Sequence, residues 1–294
     1  MNATTGKSIL YTMAFTGGPL GGNVNTITNV VDFKKFRPVN KHRNVFGYHA
    51  RVAYITGFGG KEIPPYNRFY MGGEDDIRGY DIRSISPVTF IPTQSRIPIS
   101  YPDPSAGGAL RTITIPSLIY TATLPGGDLE GFGNVEYRIP IVKNYFQTAF
   151  FFDGGTNGIA NKSGLKLDPT GFSQLTTAFP GSGVSGTLPI APNTNFRFRG
   201  SAGIEFVIQL PIVQAPFRIY YAYNVHRLHE VLVAQDPFIN ESDKLYLQQQ
   251  LNLIDPALYP FLVKPQLDSV VNNPGRLNYF EPATTFRFTV SRTF

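Results

Sequence analysis

Apolar and polar residues alternate with a period of two along most of the chain. In residues 217–224, for example, Phe217, Ile219, Tyr221 and Tyr223 share one parity, and the residues between them share the other. Such alternation is typical of β-strands that have one apolar and one polar face. The pattern predicts eight strands, at about 8–16, 25–37, 44–58, 129–139, 145–153, 196–210, 216–225 and 284–294.

The connections between the predicted strands alternate between short and long. The short ones lie around Pro38–Arg43, Pro140–Asn144 and Pro211–Ala215, and the long ones cover 17–24, 59–128, 154–195 and 226–283. In an up-and-down antiparallel sheet, alternate connections lie at opposite ends, so the tight turns share one side and the long loops the other. This asymmetry is typical of an outer-membrane β-barrel. The stretch 59–128 shows no strand pattern, so we expect it to be a long loop.

A soluble β-sandwich or a lipocalin-like barrel would show the same alternation, because it buries the apolar face and exposes the polar one. Two features favour the inside-out arrangement of a membrane barrel. The apolar parity is rich in Phe and Tyr, which suit contact with lipid and its interfaces, and the sequence ends on a predicted strand with a terminal Phe.

The composition excludes several other classes of protein. The 294 residues include 24 Phe, 16 Tyr, 29 Gly and 24 Pro, which argues against a helical bundle. The net charge of +6 comes from arginines scattered between aromatic residues rather than from a basic run that would bind nucleic acid. Cysteine is absent, so disulfides and thiolate metal sites are excluded. We find neither a signal-peptide pattern nor an apolar run of about 18 residues, which a spanning helix requires.

Four stretches resemble the BamA-type family of outer-membrane insertases. The first, residues 65–80, reads PYNRFYMGGEDDIRGY and has an aromatic residue, a glycine pair and then a hydrophobic-Arg-Gly-aromatic run. Residues Asn134–Pro140, Ala149–Gly155 and 286–294 are similar to later strands of the family, in the same order. The resemblance spans about residues 7–294 but is specific only in these blocks.

This resemblance implies an all-β fold, an antiparallel up-and-down transmembrane β-barrel with long external loops. The family's barrel has sixteen strands and follows a signal peptide and periplasmic POTRA domains. The eight predicted strands match its last eight, so we expect residues 1–294 to be the C-terminal portion of such a barrel, a surface antigen-like domain without POTRA domains or a signal peptide. An independent eight-stranded barrel is the alternative.

The resemblance also implies a function. It is that of a non-enzymatic assembly factor, without cofactor, which inserts and folds β-barrel proteins into the bacterial outer membrane through a gate at its terminal strand. The implied partners are the bilayer, unfolded β-barrel clients and accessory assembly lipoproteins bound through domains outside this chain, but no nucleic acid. A two-partner secretion pore or a TamA-like translocation pore of the same superfamily is the alternative. An enzyme ranks last, because the four histidines fall into no catalytic constellation.

In this family the external loop folds back into the barrel and docks on the inner wall. The resemblance assigns that motif here to Gly72, Gly73, Arg78, Gly79 and Tyr80. A glycine at position 79 permits a tight turn or a close approach to the wall. A tyrosine at position 80 can pack its ring while its hydroxyl stays in a polar lumen.

Two acids are candidate partners of Arg78. Glu136 and Asp153 have the parity opposite to their apolar neighbours, so both point into the lumen from adjacent strands. The planar guanidinium of Arg78 suits such carboxylates. The alternative is an exposed loop arginine, whose isolated ion pair would contribute only about 0–1 kcal/mol.

The last predicted strand carries an apolar stripe of Phe286, Phe288, Val290 and Phe294. In the family this strand is a targeting signal and a gate, at which client strands add by β-augmentation. The plainer alternative is a closing strand, which any outer-membrane barrel has.

The remaining polar motifs predict less specific features. Residues of lumen parity predict a net positive interior: Arg51, Arg138, Arg197, Arg199, Arg218 and Arg287 against Glu136, Asp153 and Glu205. We interpret the acids 74–76 as solvated or facing this basic wall rather than as a cation site.

Two further motifs lie in the last long connection. His226, His229 and Glu230 are expected to be solvated rather than to bind zinc, so no metal site is predicted. Ser242 could cap a short helix over 243–254, with Leu247, Leu251 and Ile254 on its apolar face.

Overall fold

The computed structural model describes residues 3–40, 44–142, 145–210 and 215–290. Within these ranges the chain forms twelve strands and three α-helices, α1 (Pro169–Ala178), α2 (Glu241–Asn252) and α3 (Lys264–Val271). The strands are β1 (Gly6–Thr16), β2 (Thr26–Pro38), β3 (Val45–Gly57), β4 (Thr89–Asp103), β5 (Ala109–Thr123), β6 (Leu129–Val142), β7 (Phe146–Gly158), β8 (Arg199–Leu210), β9 (Ala215–Asn224), β10 (His229–Val233), β11 (Arg276–Phe280) and β12 (Thr284–Val290).

Eight strands form one antiparallel up-and-down sheet, and they are the eight that the alternation predicts. Their order is β1-β2-β3-β6-β7-β8-β9-β12, so each strand pairs with the next member of the sheet along the chain. Among the described residues, β1 pairs only with β2 and β12 only with β9. The predicted tight turns include residues 41–43, 143–144 and 211–214, which lie outside the described residues.

Several predicted strand bounds differ from the structure. β7 ends at Gly158 rather than at 153, and β6 ends at Val142 rather than at 139. The strand expected from residue 196 begins instead at Arg199, because Phe196 has a φ of 52° and cannot continue a strand. Asn195 also closes the preceding loop locally, since its side-chain oxygen accepts from the backbone N–H of Ile159 at 2.7 Å. The parity of the rest of the strand is unchanged.

The two faces of the sheet differ as a membrane barrel requires. Outward side chains such as Phe150 and Phe288 are 52% and 68% exposed, whereas inward Asp153 and Glu205 are 0% and 2% exposed. A soluble sandwich would show the reverse distribution, so the inside-out interpretation is confirmed. None of the described helices combines the length and the apolar character that crossing a bilayer would demand.

The long connections between β3 and β6, β7 and β8, and β9 and β12 form a folded cap at one end of the sheet. The cap contains the β4–β5 hairpin, the β10–β11 hairpin and the three helices, with a π-helical turn at Tyr259–Val263 before α3. The expectation that 59–128 is a long loop without strands is therefore wrong, because β4 and β5 lie within it. Alternate residues Ile97, Ile99 and Tyr101 of β4 are buried against the helices.

The predicted helix exists but begins earlier than expected. α2 covers Glu241–Asn252 and its N-cap is Asn240 rather than Ser242. Leu247 and Leu251 are buried in the same core as β4, whereas Ile254 lies beyond the end of the helix. The apolar face of α2 therefore packs within the cap.

Candidate functional site at the inner wall

A loop that we call the RGY loop, residues 71–85, closes on itself and packs on the inner face of the sheet. Its ends are joined by two backbone hydrogen bonds between Met71 and Ile85, of 3.1 and 2.9 Å. Both residues form a buried cluster with Ile77 and with Phe132 of β6. Apolar packing therefore attaches the loop to the wall independently of its charged contacts.

The glycine pair of the motif is required by the turn of the loop. Gly72 and Gly73 have φ angles of 106° and 110°, a region that side chains strongly disfavour. A Cβ at Gly72 would lie 2.4 Å from the carbonyl oxygen of Asp81, closer than real Cβ contacts. Any other residue at this position would push the two arms of the loop apart.

Arg78 is buried against three carboxylates of the wall. Its Nε and Nη2 donate to Oδ2 and Oδ1 of Asp153 at 2.7 and 2.8 Å, and its backbone N–H donates to Oδ2 at 3.1 Å. Its Nη1 lies 2.7 Å from Oε1 of Glu136 and 3.1 Å from Oε2 of Glu205. Burial opposes the charge of Arg78, but the carboxylates outweigh it and hold its pKa well above the usual value.

The structure brings Arg78 together with both acids that the strand parity indicated, and adds a third. Glu205 lies on β8, opposite Ala149 of β7, so it reaches Arg78 from the strand beyond Asp153. Its inward parity was visible in the sequence, but parity does not reveal how far the guanidinium reaches across the wall. Whether these contacts serve assembly stays a prediction.

The cluster is balanced in charge and closed by an aromatic ring. Arg138 pairs with Glu136 and Arg218 pairs with Glu205, each at 2.7 Å. The guanidinium carbon of Arg78 lies 3.8 Å from the centre of the Phe151 ring, a cation–π arrangement. The six charged members comprise three acids and three arginines: Arg78, Arg138, Arg218, Glu136, Asp153 and Glu205.

The predicted net positive interior needs correction. Arg197 lies before β8 and is exposed, so it does not belong to the inward face. Asp32 of β2 and Glu130 of β6 do face inward, where they lie near His49 and Arg51 respectively. The inner wall is therefore close to neutral, because most of its arginines face an acid.

Gly79 and Tyr80 continue the docking of Arg78 toward β9 and β8. Gly79 has a φ of 94°, and a Cβ there would lie 2.2 Å from the side-chain oxygen of Asn224. The Gly79 carbonyl accepts from the side-chain nitrogen of Asn224 at 2.8 Å. The fully buried Tyr80 donates its hydroxyl to the carbonyls of Gly200 and His226, at 3.1 and 3.2 Å.

The acids 74–76 face the wall to different degrees. Glu74 accepts from the hydroxyl of Thr289 at 2.8 Å, while Asp75 is exposed. The Asp76 carbonyl accepts from the side chain of Asn134 at 2.6 Å, and burial of the Asp76 carboxyl raises its pKa to about 6. Together with wall residues these acids line a cavity of about 330 Å³.

The other motifs make structural contacts. The ring of His226 packs edge-on against Phe198 at 5.4 Å, and that of His229 stacks on Phe280 at 4.2 Å. In the part of the chain that the structure describes, no group of three or more metal-ligating side chains is close enough to hold an ion.

The terminal strand presents its apolar stripe outward. Phe286, Phe288 and Val290 of β12 are all exposed on the lipid-facing side. Phe294, the last residue of the predicted stripe, lies outside the described residues.

Comparisons with known proteins match one family over most of the chain. The family model of the Omp85 superfamily domain matches residues 1–232. The outer membrane protein assembly factor BamA of Nitratidesulfovibrio vulgaris (strain Hildenborough) is 32% identical over 145 residues, which are 49% of this chain and 14% of that protein. A crystal structure of BamA from Haemophilus ducreyi lacking POTRA domains 1–3 covers 76% of this chain with 20% identity and a TM-score of 0.49, over 36% of its own length. The chain thus spans a small part of the curated relative that it matches.

Proposed function

The chain belongs to the Omp85 superfamily, a family of bacterial outer-membrane proteins, and from this premise we propose that it inserts and folds β-barrel proteins in that membrane. Similarity to an outer membrane protein assembly factor supports a role in assembly. The mechanism, the clients and the partners are properties of the intact protein, and all three are part of this proposal.

The observation that carries the proposal is the outward stripe of β12. This strand pairs with β9 from Thr284 to Val290, and Phe286, Phe288 and Val290 are exposed on its lipid-facing side. A client strand that pairs with the backbone N–H and C=O groups on the other side of β12 would add by β-augmentation. Because Phe286 and Phe288 face lipid, a client strand added beside them would place its own apolar face in the bilayer.

The mechanism requires no catalytic group or cofactor. Each client strand that pairs at β12 satisfies backbone groups that would otherwise lie unpaired in hydrocarbon, at a cost of several kcal/mol each. Strand pairing and lipid contact therefore supply the driving force. We expect unfolded β-barrel clients to reach β12 with the help of accessory lipoproteins, bound through parts of the intact protein outside this chain.

A photoreactive residue at position 288 of the intact protein tests the proposal during assembly of a β-barrel client. We expect the client to crosslink at position 288 in β12. The matched control is position 150 in β7, also a lipid-facing Phe, but in a strand paired on both sides. Equal crosslinking at both positions would show that contact with lipid-bound client, and not strand pairing at β12, accounts for the signal.

A secretion or translocation pore of the same superfamily makes a different prediction. A passenger in transit through the lumen would crosslink to an inward position such as Val207, which lines the cavity beside the RGY loop, and not to β12. That outcome would replace the insertase proposal.

A further inference from the structure

Three inward side chains of β12 contact the RGY loop. The hydroxyl of Thr285 donates to the Gly79 carbonyl at 2.6 Å, and Arg287 forms an ion pair with Asp81. The third contact is that of Thr289 with Glu74. These three residues alternate with the lipid-facing ones, so the whole described inner face of the terminal strand rests on one loop.

The side-chain contacts of β12 add to its backbone pairing. Its ladder with β9 runs from Thr284 to Val290, and cross-strand side-chain contacts further define the position of a strand. For β12 the side chains that contact the loop are the inward residues 285, 287 and 289.

The loop is itself fixed to strands that are remote from β12. Arg78 reaches Asp153 on β7 and Glu205 on β8, and the next residue, Gly79, contacts both Asn224 of β9 and Thr285 of β12. Consecutive residues of one motif therefore connect the interior of the wall to its terminal strand. Asn224 adds a second bond, from its side chain to the Pro282 carbonyl just before β12, at 2.8 Å.

We infer that Thr285, Arg287 and Thr289 are positioning residues, through which the RGY loop holds β12 from the inside and sets its position in the wall. The use of β12 by a client rests on the proposed function, but the restraint on the strand does not. Asp81 and Arg287 are 70% and 28% exposed, so their ion pair is screened by salt and is the part most easily released.

Nitroxide labels at positions 286 and 150 of the intact protein in a bilayer measure this restraint as a distance between β12 and β7. Both positions carry exposed, lipid-facing phenylalanines. We expect one narrow distance in the wild type and loss of that narrow distance in Asp81→Arg and in Arg287→Asp, each of which places like charges together. The double variant that exchanges the two charges is expected to restore it. The control Arg96→Asp makes the same change on β4, at an exposed residue of the cap.

Retention of the wild-type distance in both single variants would overturn the inference, as would a double variant as broad as the singles. If a charge reversal prevents folding, Thr285→Val with Thr289→Val carries the test, since it removes two contacts without changing charge or size; an unchanged distance there also overturns the inference. Client crosslinking at position 288 is measured separately. Its absence from the wild type would refute the proposed function and leave the distance measurement valid.

Discussion

The RGY loop is attached to the sheet at two places that differ in burial. At β6, β7 and β8, Arg78 is 2% exposed and contacts three carboxylates. At β12, the hydroxyls of Thr285 and Thr289 each donate one hydrogen bond to the loop, and the one ion pair is that of Arg287 with Asp81, in which the aspartate is 70% exposed. The same loop thus has one attachment shielded from water and one attachment open to it.

The two attachments are expected to differ in their contribution to stability and in their structural role. Removing one partner of a buried ion pair leaves an uncompensated charge and costs about 3–5 kcal/mol, whereas an exposed pair is worth about 0–1 kcal/mol. The buried attachment therefore determines where the loop lies. The exposed attachment adds little stability, but it can connect a terminal strand to the loop without locking it.

The largest effect is expected from Arg78→Ala, which would remove the buried attachment. The carboxylates of Glu136, Asp153 and Glu205 would lose their shared cation, and we expect the free energy of unfolding to fall by about 3–5 kcal/mol. The loop should also become sensitive to protease. Urea unfolding in detergent and limited proteolysis measure the two effects.

Arg83→Ala is the control for this prediction. Arg83 belongs to the same loop but is exposed, with its guanidinium over the ring of Tyr70 at 4.3 Å. We expect a change of about 1 kcal/mol or less, as for an exposed cation–π contact. Similar losses in both variants would mean that the two attachments do not differ as their burial indicates.

A smaller effect is expected from Gly79→Ala, which acts between the two attachments. The added Cβ would meet the side-chain oxygen of Asn224 at 2.2 Å. A left-handed backbone also costs a non-glycine residue about 1–3 kcal/mol. We expect the variant to lose loop protection and to broaden the position of β12, because Gly79 contacts both Asn224 and Thr285.

Gly107→Ala separates the clash from the backbone strain. Gly107 also has a positive φ, of 67°, but a Cβ there would have no neighbour within 4 Å. Both variants carry the cost of a positive φ, which is larger at 94° than at 67°, so a difference between their unfolding free energies beyond about 1–2 kcal/mol reports the crowding at the wall. If the difference is zero, the close approach of Gly79 to Asn224 is not important for docking.

The sheet could be predicted from the sequence because two solvents impose its alternation. Lipid on one side and a polar lumen on the other give each strand a strict period of two, as in Phe217 to Tyr223, and the eight segments follow from it. The inward parity of Glu136 and Asp153 follows in the same way. Family resemblance, not periodicity, singled out Arg78 among many arginines.

The structure of the cap and the contact of Glu205 with Arg78 could not be predicted from the alternation of apolar and polar residues. Ile97, Ile99 and Tyr101 alternate in β4, but prolines at 92, 98 and 102 interrupt the strand signal, and the buried partners come from distant loops. Glu205 had the right parity, yet its contact with Arg78 depends on the register between β7 and β8 and on the path of a loop. Local sequence does not specify such long-range geometry.

The smallest effect is expected from pH, through an acid that lies between the two attachments. Asp76 is a half-buried loop residue, and burial raises the pKa of its carboxyl to about 6, although Arg51 and His49 oppose the shift and Asp75 adds to it. The folded protein therefore binds a proton more tightly than the unfolded chain, whose pKa is near 3.8. The contribution of Asp76 to stability is then highest below about pH 4 and falls as the pH rises to about 6.

Asp76→Asn removes this titration and keeps the shape of the side chain. Each pKa unit corresponds to about 1.4 kcal/mol, but partial exposure screens the charge, so we expect a gain of about 1 kcal/mol above pH 6 and little change below pH 4. Unfolding free energies measured across this range, with Asp75→Asn as the exposed control, decide the point. An equal response in both variants would show that general charge repulsion in the acidic stretch, rather than the burial of Asp76 against the wall, determines the pH dependence. A response confined to Asp76 would instead mean that protonation of its carboxyl stabilises the buried side of the loop. The exposed ion pair at β12 would still be weakened by salt.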